Sequence, residues 1–336
     1  MSKTDKIFIV GSSRSGTTMM SRVLANHPSI FSFKELHFFS QTFSNRKKNS
    51  LNYNESVNVL SRLFATQEQG IFNDHVSKDL LEKSKSLLNE NNQYNYFSLF
   101  DLFLNSILKD NNKSVACEQT PNNNYYLEEI LTNYPEAKVI NMIRDSRDVL
   151  LSQKKKWKRK FLGAKEIPIL ESVRSYLLYH PITTTFFWKS SLLETRKYEG
   201  NINVLVVKFE DFLLSPKKKC KEICDFLDLD FKENMLLVPN IGSSTQEDSN
   251  DKLFIDSEKI SKWKDGGLNS AEIFLSQFIS SEMMSFYGYQ KKKFLFPPIF
   301  VLFYLLSFPI KFILSFFFNL KRISSVIDLL KNKTLC

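Results

Sequence analysis

The strongest constraint on the fold lies near the start of the chain. Ile7–Val10 is an apolar run too short for a signal-peptide core and reads as a buried strand. Directly after it come Gly11-Ser12-Ser13-Arg14-Ser15-Gly16-Thr17-Thr18, and then Met19–Ala25 with helical spacing, stopped by Pro28. A strand, a loop of small residues and a helix in this order make an anion cradle. Small residues let backbone N–H groups converge, and the helix dipole adds positive potential. The two glycines have the spacing of a nucleotide phosphate loop, but Thr17-Thr18 stands where Lys-Ser/Thr would follow. The lysine that reaches the β/γ-phosphates is therefore missing, and Arg14 supplies a planar cation inside the loop instead. Ordinary ATP or GTP hydrolysis is not expected of it.

A second block has similar logic. Lys138–Ile143 reads as a strand that ends at Arg144, with Asp145-Ser146-Arg147-Asp148 opening a helix that carries Ser152. Helical spacing brings Ser152 round toward the same side, and an Arg with a hydroxyl suits a phosphate. The plainer reading of Arg144-Asp145 is an ion pair at a strand end. Asn203–Lys208 is a third buried strand, with a helix over Pro216–Leu227, and Ile30–Phe33 is a short further strand. Strands alternating with helices predict an α/β fold whose mostly parallel sheet is flanked by helices in three layers. Residues 45–112 read as helices joined by polar loops.

These blocks together resemble the sulfotransferases that use 3′-phosphoadenosine 5′-phosphosulfate (PAPS), whose fold is P-loop-like. By eye the tyrosylprotein-type and bacterial branch is the most similar. The matching residues are Ile7–Met20 with His27-Pro28 and Glu35, then Val139–Ser152, over a span of roughly residues 5–290. The resemblance implies that Arg14, Ser15, Gly16, Thr17 and Thr18 grip the 5′-phosphosulfate. It also implies that Arg144 and Ser152, with Lys156 one turn later, bind the 3′-phosphate. It makes Glu35 the general base that takes the acceptor proton, with Arg14 catalytic beside it. His37 is a rival base on the same strand face as Glu35, whereas His27 reads as structural. Ser243-Ser244 and Ile260-Ser261-Lys262-Trp263 resemble the loop that closes over the cofactor, so Ser244 and Lys262 join the binding set. Trp263 either covers the adenine or packs in the core. Phe209 stands where the family has a Tyr near the nucleotide, and Glu210-Asp211 reads as an acid pair at a helix start. In Cys117-Glu118-Gln119-Thr120-Pro121, Gln119 occupies a position where the family commonly has Lys, a loss of charge that Arg14 or Lys262 would have to make good.

The chain has 336 residues and a net charge of +10, which first suggests several polyanionic partners. Its distribution decides among them. Residues 291–336 hold eight basic residues and one acid, leaving only +3 elsewhere, and they include the longest apolar run, Phe294–Leu320. Basic flanks around an apolar aromatic run fit an anionic membrane surface, and nucleic acid drops out. Two units are expected: a catalytic domain over 1–290 and a membrane-associating, apolar helical tail over 291–336. Pro309 divides the apolar run, so a re-entrant or in-plane anchor is favoured over a spanning helix or a helix buried in an oligomer. A cytosolic catalytic domain on the inner face of a membrane follows. The four cysteines have no zinc-site spacing, and no metal is expected. The expected activity is sulfuryl transfer from PAPS to a hydroxyl on a glycan, lipid-linked or small-molecule acceptor. The rivals are another P-loop transferase, such as a small-molecule kinase, and a non-catalytic nucleotide-binding protein at a membrane.

Overall fold

A computed structural model describes residues 5–43, 50–72, 75–165, 167–240, 249–253, 255 and 257–333. In chain order the first elements are β1 (Lys6–Gly11), α1 (Thr17–Ala25), β2 (Ile30–Ser32), α2 (Tyr53–Gln69), α3 (Lys78–Ser86), α4 (Tyr96–Asp110) and β3 (Val115–Gln119). There follow α5 (Leu127–Asn133), β4 (Lys138–Ile143), α6 (Ser146–Lys154), α7 (Ile169–Leu178), α8 (Pro181–Arg196) and β5 (Val204–Lys208). The chain continues through α9 (Phe209–Leu214), α10 (Pro216–Phe226), the short pair β6 (Pro239–Asn240) and β7 (Ser249–Leu253), α11 (Ser270–Ile279), α12 (Ser281–Phe286) and α13 (Phe300–Lys333).

The main sheet has the order β2-β3-β1-β4-β5, and every pairing in it is parallel. Alternation along β1 shows why both faces are covered. Phe8 and Val10 enter a core with α2 and α4, while Ile7 and Ile9 enter another with α1 and α10. The first core is strongly aromatic: Phe38 stacks on Phe100 with ring centroids 4.3 Å apart. Strands β1 and β4 are neighbours, and their following helices pass to different parts of the molecule. The crevice beyond their carboxyl ends is the place where open α/β sheets bind ligands. The expected three-layer α/β fold is therefore what the chain adopts.

Two local departures matter. Strand β2 ends at Ser32, so Glu35 and His37 do not share a strand face. They lie on an irregular segment in which His37 adopts φ 50° before a π-helical turn over Phe38–Thr42. Pro309 also does not divide the tail, because α13 runs unbroken through it. Proline removes one N–H and crowds the preceding turn. That turn is braced from outside, since the Tyr304 carbonyl accepts a hydrogen bond from His180 Nε2 at 3.1 Å. Among the described residues no helix is long and apolar enough to cross a membrane.

Candidate active site

The loop after β1 is shaped by two glycines. Gly11 (φ 142°) has no room for a Cβ against the Met142 carbonyl, and at Gly16 (φ 99°) a Cβ would meet the Phe209 ring. Gly16 caps α1, whose N-terminal Thr17 is buried and whose Thr18 is exposed. Arg14 sits at φ 75°, an uncommon conformation for a residue with a Cβ. Its Nε donates to Ser152 Oγ at 2.9 Å, so the first loop and α6 meet directly.

Arg144 lies just past the end of β4, beside the same loop. Its Nη1 reaches the Arg14 carbonyl at 3.5 Å, its Nη2 donates to the Lys259 carbonyl at 2.8 Å, and its guanidinium lies 4.3 Å over the Phe209 ring. Trp188 Nε1 holds the Arg144 carbonyl at 2.9 Å. The fully buried Ser15 Oγ and the Arg144 Nε have no protein partner. Two clustered guanidiniums, orphaned donors and a glycine cradle at a helix N-terminus fit an anionic ligand with more than one charged group. A single Phe209 ring packs under both Gly16 and Arg144, so it is a spacer between the two anion loops.

The third part comes from the irregular segment after β2. Gln119, the last residue of β3, donates through Nε2 to Thr17 Oγ1 at 3.2 Å and to Glu35 Oε1 at 3.2 Å. Glu35 Oε2 lies 3.4 Å from His37 Nε2. Burial opposes the Glu35 charge, but the His37 and Gln119 hydrogen bonds and the Lys156 charge outweigh it and hold the carboxyl below its ordinary value. The Glu35 side chain is still 43% exposed, the combination expected in a deep but open cleft. Lys156 behaves likewise. Burial and the Arg14 charge lower its ammonium while Glu35 raises it, yet the residue meets solvent.

Behind Glu35 stands a carboxyl that sequence reasoning did not single out. Glu118 is fully enclosed, accepting from Leu36 N at 3.3 Å, Asn123 Nδ2 at 2.6 Å and the Thr120 hydroxyl. Thr120 Oγ1 in turn accepts from His37 N at 3.2 Å. This network fixes the backbone that joins Glu35 to His37. Burial pushes Glu118 up to about 7.

The remaining expectations are met unevenly. Ser244 lies outside the described residues. Lys262 pairs with Asp265 at 3.5 Å, while the backbone around it is tied to the site: Asp148 accepts from Ser261 N at 2.9 Å and from Trp263 N at 3.0 Å. Trp263 is a core residue, buried against Leu151 and Ile273 with Arg147 stacked on it at 3.9 Å. Glu210 does more than start a helix, since it accepts from Asp145 N at 2.9 Å and Tyr289 OH at 3.0 Å. His27 is buried and accepts from Ser29 N at 3.2 Å, a local structural role. Among the described residues no group of three or more His, Cys, Asp or Glu is arranged to hold a metal ion.

A parallel α/β sheet with a glycine-cradled anion loop, a second arginine anion site and a carboxylate linked through Gln119 to the first loop defines a protein built for group transfer from an anionic donor. The sequence profile of the sulfotransferase family matches residues 6–233, more than half of the chain, and the chain belongs to that family. It is similar to the sulfotransferase domain from the Synechococcus PCC 7002 olefin synthase, with 19% identity and a TM-score of 0.53 over 87% of this chain and 98% of that one. It is equally similar to the sulfotransferase domain from the curacin biosynthetic pathway, with 18% identity, a TM-score of 0.53, and 87% and 100% coverage. At such identities the likeness is one of fold. Among curated proteins nothing matches the chain.

Proposed function

We propose that the chain transfers a sulfuryl group from PAPS to a hydroxyl acceptor, with Glu35 as the general base. The observation that carries this reading is Gln119, whose amide touches both Thr17 of the anion loop and Glu35. One side chain thus sets a basic carboxylate beside the loop that would hold the transferring group. In this reading Arg14, Ser15, Gly16, Thr17 and Thr18 hold the 5′-phosphosulfate. Arg144 and Ser152, with Lys156 in the cleft wall, hold the 3′-phosphate, and the backbone from Ser261 to Trp263 borders that phosphate while Lys262 lies at its rim.

The acceptor hydroxyl gives its proton to the Glu35 carboxylate as its oxygen bonds to sulfur. The bond from sulfur to the 5′-phosphate oxygen breaks in line, and its electron pair leaves with 3′,5′-adenosine bisphosphate. Charge builds on that bridging oxygen, and a cation there lowers the barrier. Gln119 supplies no charge, so Arg14 takes that part; Lys262 is engaged with Asp265. His37 orients the Glu35 carboxylate. The basic, apolar tail holds the catalytic domain at the cytosolic face of an anionic membrane, in keeping with its composition and with the absence of any spanning helix among the described residues. Incubation with PAPS carrying labelled sulfur and fractionated cell extract tests the transfer. Label should enter one or more hydroxyl compounds with the native chain and not with Arg14→Ala; no label in any fraction would contradict it.

A further inference from the structure

The apolar run of the tail contains one charge between Phe294 and Leu320, and that charge is turned inward. Lys311 Nζ donates to the Leu177 carbonyl at the end of α7 at 2.6 Å. Tyr304 and Ser307 on the same side of α13 meet His180, and Tyr304 OH accepts from Asn269 at 2.9 Å. The opposite side carries apolar groups into solvent, among them Leu302, Phe303, Leu306 and Ile310. Soluble surfaces rarely leave so much contiguous apolar area open.

Helix α7 continues this surface. It packs against α13 on one side and against the turn Lys156–Phe161 on the other. It exposes Ile169, Leu170, Val173 and Tyr176, whereas Glu171 and Arg174 pair with each other at 3.3 Å. Tyr176 meets Trp157 edge-on at 5.6 Å, and Trp157 meets Phe161 at 6.4 Å. An aromatic cluster beside exposed Lys158 and Lys165, with Lys291, Lys292 and Lys293 exposed just before the tail, has the composition of a membrane–water boundary facing anionic headgroups. The same α7 borders the cleft, because it packs on the turn that Lys156 opens.

We propose that α7 and α13 form a single surface that seats the cleft mouth on an anionic bilayer, and that the acceptor is a hydroxyl-bearing amphiphile taken from that bilayer. This deepens the sulfuryl-transfer reading and rests on it for the acceptor alone; the surface stands independently. The occupant is lipid because the apolar surface adjoins an aromatic cluster with Lys158 over Trp157 and follows three exposed lysines, whereas a second copy would bring the same positive charge against itself.

The test uses the full chain with vesicles of phosphatidylcholine alone or mixed with phosphatidylglycerol. Binding should favour the mixed vesicles. Leu170→Glu with Val173→Glu should weaken it at least tenfold while the circular dichroism spectrum is kept. Phe303→Glu with Leu306→Glu in the tail should do the same. Label from PAPS, supplied with vesicles of total cell lipid, should be recovered in the organic phase. Native binding by the α7 variant, self-association through this face without vesicle binding, or label confined to water-soluble compounds would each overturn the proposal. Vesicle binding that depends on Leu170 and Val173 without any sulfate transfer supports the surface, and it is then the sulfuryl-transfer reading that fails.

Discussion

Arg14 Nε and Ser152 Oγ are 138 positions apart in sequence and 2.9 Å apart in space. This bond closes the gap between the loop after β1 and the helix after β4, and it makes one site from two anion loops. Truncating Ser152 to Ala removes a neutral partner from a charged group, a loss of about 1–2 kcal/mol. Calorimetry with 3′,5′-adenosine bisphosphate should show binding weakened roughly tenfold. Arg14→Ala should weaken it further, and equal affinity in both variants and the native chain would separate this bond from ligand binding.

Gly16 serves packing as well as backbone freedom. A methyl group there would drive into Phe209, the ring on which Arg144 rests, at a φ of 99° that L-residues avoid. Gly16→Ala should cost about 2–4 kcal/mol in denaturant unfolding, and bisphosphate affinity should fall with it. A fully stable Gly16→Ala protein would show that the Phe209 ring moves freely.

How much of this could be read from sequence varies with the origin of each contact. The anion loop and the Arg144 block were legible because strand, loop and helix signals are local and their residues adjacent. Strand β3 carries a weak sequence signal: two of the five residues Val115-Ala-Cys-Glu-Gln119 are polar, yet it pairs with both β1 and β2. Its Glu118 is held by nearby Thr120 and Asn123 and by Leu36, 82 positions away, a contact no local window reveals. His37 reaches Glu35 through a left-handed backbone rather than through strand alternation. Trp263 belongs to the core because Arg147 stacks on it, a pairing more than a hundred positions apart. Pro309 suggested a break in the tail, but a proline interrupts one hydrogen bond, and the packed neighbours of α13 preserve the helix.

The pH dependence of transfer should carry the signature of Glu35. Its folded value is held below the ordinary carboxylate range against the effect of burial, so the base form is present at neutral pH and is lost only as pH falls through that depressed value. The acid limb of the kcat/KM profile should therefore lie below about 4.5. His37→Phe removes the main opposing hydrogen bond and leaves burial dominant, moving that limb upward. An unmoved limb would assign the titration to another group.

Glu118 predicts a separate effect, on stability. Its value is about 7 in the folded chain, higher than when exposed, so between these two values the folded state binds more protons than the unfolded state. Stability should then fall as pH rises from about 4.5 to about 7, by about 1–3 kcal/mol. Glu118→Gln should flatten this dependence in denaturant unfolding. The same slope in the variant would place the titration elsewhere.

The most direct test of the account is single-turnover transfer from PAPS by Glu35→Gln, paired with its affinity for 3′,5′-adenosine bisphosphate. Glu35 touches Gln119 and His37 rather than the anion loops' arginines, so bisphosphate affinity should remain within about twofold. The transfer step should slow by about 10²–10⁴-fold. Transfer at the native rate by Glu35→Gln would contradict Glu35 as the base.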